Sequence, residues 1–146
     1  MTYDDAEWHQ ETVDELGLPE DNAATHIGIF YAWMRAHDLA SGTTLWHGVP
    51  EPVPDPHLDL LDDRKLTPGA YLVQHMVGQF DSGAFTDEGN AFTDASYSAY
   101  LDAYSTVPEV AGYDSTYAAP DTWQLYDAVA PTIDALYARW KSGVAR

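Results

Sequence analysis

Residues 25–37 read THIGIFYAWMRAH, an almost unbroken apolar run with a histidine near each end. Ile27, Ile29, Phe30, Tyr31, Trp33 and Met34 cover nearly every side of a helix, the pattern of one buried all round rather than along a single stripe. Gly28 costs roughly 1 kcal/mol against Ala in a helix interior, so a neighbouring element is expected to approach closely there. His26 and His37 share a face but stand about 16 Å apart along the axis, too far to hold one metal ion together. A two-histidine zinc helix needs the i, i+4 spacing of H-E-x-x-H, which never occurs here. The run therefore reads as a central core helix. His26 is expected as a core histidine bonded to a carboxylate, and His37 as a group that suits the negative end of the helix dipole.

Working outward, Pro19 with Glu20 and Asp21 suits the start of that helix, which runs to about Leu39 with Gly42 beyond it. Residues 48–56, GVPEPVPDP, place Pro at every second position from Pro50 and form a Pro-rich internal linker of extended type. Asp55 before Pro56 and Thr67 before Pro68 predict two short helices, through about Lys65 and Val77. Asp87 is a predicted cap for a helix to about Ser105, on which Tyr97, Tyr100, Leu101 and Tyr104 form one stripe. Asp121 with Gln124 resembles a capping box for a last helix carrying Trp123, Tyr126, Ala130, Ile133, Tyr137 and Trp140. Pro131 falls inside it and predicts a kink. Residues 1–18 read as an irregular entry segment with at most a short helical turn, and the one strand signal is Thr43 to Val49. The expected fold is all-α: a single acidic domain over 1–146, a compact bundle of about five helices with a kinked C-terminal helix.

Charge separates the function classes. The chain carries 24 Asp plus Glu against 6 Lys plus Arg, a net charge of −18. Residues 1–34 hold eight carboxylates and residues 66–138 ten more, with no Lys or Arg in either span. Such a surface repels phosphate backbones and anionic lipid, which argues against direct nucleic-acid or membrane binding, and it steers basic proteins toward itself. A hydrophobic content of 45% excludes disorder through low hydrophobicity. Without Cys, there are no disulfides, thiolate nucleophiles or cysteine zinc sites. The N-terminus lacks the basic segment and apolar core of a signal peptide, and no run is long enough to span a membrane, so a cytoplasmic protein is expected.

Two stretches stand out as candidate contacts. DDAEWHQE sets Trp8 and His9 among carboxylates in a segment that no regular pattern demands, a composition that offers Trp as an anchor and Asp or Glu as partners for Arg or Lys. Glu7 with His9 would also begin a metal site, but spacing identifies no third ligand. TDEGNAF, residues 86–92, fails the calcium-loop pattern and reads as a turn and helix start. No nucleophile elbow, phosphate loop or dinucleotide fingerprint is present. No catalytic residue, metal ligand set or cofactor is assigned; the expected partner contacts are Asp4, Asp5, Glu7, Trp8, Asp87 and Glu88.

D-A-E-W-H at Asp5 to His9, A-T-H-I-G-I-F-x-A-W at Ala24 to Trp33, E-G-N-A-F at Glu88 to Phe92 and D-T-W-x-x-Y at Asp121 to Tyr126 occur in order along most of the chain. Together they resemble a family of small, acidic, uncharacterised bacterial proteins, a domain of unknown function, which implies no activity and transfers no site residue. Three functional readings remain. The preferred one is a non-enzymatic acidic binding protein, an immunity-type inhibitor that neutralises a basic toxin or nuclease. The alternatives are a metal-dependent hydrolase drawing on His9, His26, His75 and nearby carboxylates, and a domain whose charge is adaptation to high salt.

Overall fold

The computed structural model describes residues 2–41, 57–76 and 78–143, with the backbone of 43–44 and 53–54. In chain order the elements are β1 (Thr2–Asp5), a 3-10 turn (Ala6–His9), α1 (Gln10–Glu15), a second 3-10 turn (Glu20–Ala24), α2 (Thr25–Ala36), β2 (Thr43–Thr44), β3 (Val53–Pro54), α3 (Leu58–Asp62), α4 (Pro68–His75), β4 (Gln79–Asp81), α5 (Asp87–Tyr104), α6 (Pro108–Ala111) and α7 (Trp123–Ser142). Further 3-10 turns occupy Ser82–Ala84 and Thr116–Ala118. The fold is mainly α, with strand pairing among the described residues limited to β1 with β4 and β2 with β3, both antiparallel. Most of the Pro-rich linker expected at 48–56 lies outside the described residues. No helix among the described residues is long and apolar enough to cross a membrane.

The entry segment, expected as irregular over 1–18, is the first correction. Residues 2–15 are regular: β1 pairs with β4, Asp5 caps the first 3-10 turn by accepting from the Glu7 amide at 2.9 Å, and Val13 anchors α1 in full burial. The strand partner lies more than seventy residues away, so no local pattern announces it. α1 and the single-turn α6 are the two helices beyond the five expected.

α2 is the axis of the molecule. Every residue from Thr25 to Met34 is buried, as an all-round apolar helix requires. The segment before it, expected as part of the same helix, is instead a 3-10 turn. Asp38 adopts a left-handed φ of 59° and closes the C-terminal end. α2 packs most extensively on α4, while α5 and α7 pack on each other and against α2. Phe30, Trp33, Phe80, Phe92, Tyr71 and Tyr100 form the buried aromatic centre. At Gly28 the backbones of α2 and α4 nearly touch: a Cβ there would lie 2.3 Å from the Pro68 carbonyl oxygen.

Two caps differ from the sequence reading. α5 is capped by the Thr86 hydroxyl, which accepts from the Gly89 amide at 3.1 Å, rather than by Asp87. α7 is capped by Thr122, which accepts from the Leu125 amide at 3.0 Å. Asp121, released from that role, crosses to the start of α4. There it accepts from the Gly69 and Ala70 amides at 2.9 and 3.0 Å and from the Thr67 hydroxyl at 2.6 Å. One carboxylate thus satisfies a helix N-terminus and ties α4 to the root of α7. Asp121→Ala is expected to cost about 2 kcal/mol, the upper end for a lost cap. Urea unfolding measures it, and a change below a few tenths would mean that the cap carries no weight.

Candidate functional site

The N-terminal segment folds back onto the head of α2 and builds a buried polar cluster. In β1 the burial pattern turns only Asp4 fully inward, and its side chain is 5% exposed. The following 3-10 turn brings His9 back toward it, so that His9 Nε2 lies 2.7 Å from Asp4 Oδ1. His26, on the first turn of α2, places its Nε2 3.2 Å from Oδ2 of the same carboxylate. α5 contributes the Tyr97 hydroxyl, which donates to Oδ2 at 2.7 Å, and the Asp5 amide donates to Oδ1 at 2.8 Å. Beyond His9, its Nδ1 meets the Tyr117 hydroxyl at 2.6 Å. The His9 and His26 rings meet edge to face with centroids 4.8 Å apart.

These partners set the donor and acceptor roles. An ionised carboxylate only accepts, so His9 and His26 each donate from Nε2 to Asp4, and the Tyr117 hydroxyl is placed to donate to Nδ1 of His9. Burial alone would raise the Asp4 carboxyl. Hydrogen bonds from His26, His9 and Tyr97 outweigh it and hold Asp4 well below the usual carboxylate range. Burial pushes His26 down, against the opposing pull of Asp4. The Tyr97 and Tyr117 phenols are pushed up, by burial first and the Asp4 charge second.

Asp4, His9 and Tyr117 therefore lie in the order carboxylate, imidazole, hydroxyl, the geometry of a proton relay. The raised Tyr117 phenol stays protonated and serves as a donor, not as an activated nucleophile. The chemistry that the cluster does offer is ligation. One ligand atom each from Asp4, His9 and His26 lies within 4.8 Å of the others.

A second feature opens on the surface beside this cluster. A groove of about 600 Å³ is lined by Asp5, Glu7, Asp14, Glu20 and Asp21, with Ala6, Gln10, Val73, Gly78 and Gln79 and with no Lys or Arg among the described residues. Carboxylates are supplied here by the end of β1, by the first 3-10 turn, by α1 and by the turn that precedes α2. Trp8, next in the chain to Glu7, is 62% exposed.

The expected contact residues thus divide. Asp5 and Glu7 line the groove, and Trp8 is exposed. Asp4 faces inward, where His9, His26 and Tyr97 converge on its oxygens. Asp87 and Glu88 are exposed at the start of α5, on an element that does not line the groove. Glu88 is engaged within the chain, accepting a very short hydrogen bond from Tyr137 and lying 3.5 Å from Lys141 Nζ. His9 and His26 meet as one cluster. His75 does not join them: its ring stacks on His57 with centroids 4.1 Å apart.

Sequence reading missed Asp14, Glu20 and Asp21 as groove residues and Tyr97 and Tyr117 as cluster members. The signal available for the cluster was His26 itself, an imidazole on a fully buried helix that demands a polar partner.

Fold and site together define a mainly α protein with a buried carboxylate, imidazole and phenol cluster beneath an acidic groove. The chain belongs to the family described as Domain of unknown function (DUF7832), which matches residues 2–119. All five cluster side chains and the carboxylates of the groove fall within that span, whereas α7 lies beyond it. No curated protein and no solved structure matches the chain significantly.

Proposed function

We propose that this protein is a non-enzymatic binding module that receives a basic segment of a partner protein, acting as an immunity-type inhibitor of a basic toxin or nuclease. The observation that supports it most is the groove, where five carboxylates converge with no cation among the described residues to neutralise them. Held in one concavity, such charges focus the field and favour the approach of Lys- and Arg-rich surfaces. Arg35 and Arg64 pair with Asp62 and Asp127 at 3.0 and 2.8 Å, and neither of those carboxylates lines the groove. Trp8, 62% exposed, is the aromatic anchor available next to Glu7.

The test pairs the native chain with a double charge reversal, Asp14→Lys with Glu20→Lys, at two exposed groove positions outside the buried cluster. Each is used to capture proteins from the native host at low and moderate salt, and the captured protein is then assayed for toxicity with and without this chain. The reading expects a basic protein that binds the native chain in a salt-sensitive way, loses at least about tenfold affinity for the variant (about 1.4 kcal/mol) and is neutralised on binding. Equal binding to both chains would remove the groove as the contact, and a captured partner whose activity is unchanged would remove the inhibitor role.

A further inference from the structure

We infer that Asp4, His9 and His26 form a binding site for a divalent transition-metal ion of the zinc type. The ion would take the place of the hydrogen bonds that now join the two imidazoles to the carboxylate.

The arrangement carries this in three ways. The first is position. Both imidazoles turn Nε2 toward the same carboxylate, at 2.7 and 3.2 Å, and the three ligand atoms all lie within 4.8 Å of one another. Zinc bonds to nitrogen and oxygen of about 2.0–2.2 Å set neighbouring ligands of a tetrahedron about 3.3 Å apart. His9 Nε2 and Asp4 Oδ1, 2.7 Å apart, have to open slightly, and a pair as wide as 4.8 Å has to close by about 1.5 Å. Side-chain rotation supplies movements of that size without refolding any element.

The second is donor chemistry. Two imidazoles and one carboxylate, with no thiolate, suit zinc and its borderline neighbours; calcium would need six or more oxygens.

The third is the support around the ligands. To bind a metal, Nε2 of His9 gives up its proton and the ring carries it on Nδ1 instead. That nitrogen faces the Tyr117 hydroxyl at 2.6 Å, which accepts as readily as it donates. Metal-bound histidines commonly donate their second N–H in this way, which fixes the ring. The Tyr97 hydroxyl continues to hold Asp4 Oδ2, and Oδ1, which also accepts from the Asp5 amide at 2.8 Å, exchanges its bond with His9 for the ion. His9 is the ligand through which an ion enters, its side chain being 20% exposed against 7% for His26 and 5% for Asp4. Solvent on that side completes the coordination.

The experiment uses the full, untagged chain, stripped with chelator and titrated with zinc chloride or cobalt chloride. Millimolar magnesium is present to occupy the acidic surface. The expected result is saturable uptake of a single ion per chain, visible cobalt bands of tetrahedral intensity, and a rise in melting temperature with zinc. Ring nitrogen resonances of His9 and His26 should move in long-range proton–nitrogen spectra, while those of His37, His57 and His75 stay in place. His9→Gln should weaken zinc by more than about tenfold, the lower bound for losing even an outer partner, and His75→Gln should leave it unchanged. No saturable uptake, or shifts confined to other histidines, overturns the site. Should His9→Gln fail to fold, the ring spectra of the native chain decide the matter alone. Because the groove variants leave all three ligands in place, failure here and failure of the binding reading are distinguishable.

Discussion

Gly28→Ala should destabilise the protein by about 3 kcal/mol or more, although Ala is the better helix former by up to about 1 kcal/mol. The added methyl carbon would sit 2.3 Å from the Pro68 carbonyl oxygen, 2.5 Å from its carbon and 2.7 Å from the Gly69 nitrogen. All three are backbone atoms, so no side chain can rotate away, and α2 and α4 must separate. Gly69 is also tied to the root of α7, its amide donating to the Asp121 carboxylate at 2.9 Å, so a shift of α4 strains that bond as well. For a chain of this length the loss corresponds to a fall of about 10 °C in melting temperature. Chemical unfolding of the variant checks it, and stability equal to or above that of the native chain would mean that the two helices are not in contact at this point.

Asp4→Ala is expected to cost about 3–5 kcal/mol, the range for removing one member of a buried charged set. The change strands the Tyr97 hydroxyl and both Nε2 donors, each of which has Asp4 as its partner. Asp4→Asn keeps the volume and one acceptor oxygen, and should cost roughly half as much.

The same cluster sets the acid limit of chelator-treated protein. The Asp4 carboxyl titrates lower in the folded chain than in the unfolded one, so its stabilisation is fully present above the unfolded value of about 3.9 and is lost as pH falls below it. His26 is also lowered, by burial, so the unfolded chain takes up its proton first. Its contribution is present above about 6.5 and declines as pH falls through that value. Stability should therefore fall in two stages on acidification, and Asp4→Asn should flatten the lower one. A native chain whose melting temperature rises as pH falls from about 6 to about 4 would contradict the His26 assignment, and one that loses no further stability below about pH 4 would contradict that of Asp4.

The parts of the fold that could be read from sequence are those whose cause is local. The run at α2 is apolar on every side, and a helix of that kind has only one place to go. α5 and α7 announced themselves through aromatic stripes and hydroxyl or carboxylate starts, with cap positions displaced by one residue. Asp121 was misplaced for an instructive reason: the local capping-box spacing was present, but three donors at Thr67, Gly69 and Ala70 outcompeted it from more than fifty residues away. β1 stayed hidden because two of its four residues are acidic and its partner is distant. The site followed the same rule. Glu7 and His9 suggested ligation without a third member, and His26 called for a carboxylate that nothing in its own helix supplies. Asp4 answers both, and only the pairing of β1 with β4 turns it inward.

The Asp4 cluster also sets a clock on how the molecule is made. Asp4 precedes Tyr97 by 93 positions, and His9 precedes Tyr117 by 108. During synthesis the N-terminal strand leaves the ribosome long before β4, α5 or the turn that carries Tyr117 exists. Until then the most acidic part of the nascent chain has no strand to pair with and no phenols to receive it. The groove is closed only once Val73, Gly78 and Gln79 have emerged, and the cluster behind it only once Tyr97 and Tyr117 have, so a shorter chain presents the charges without the shape.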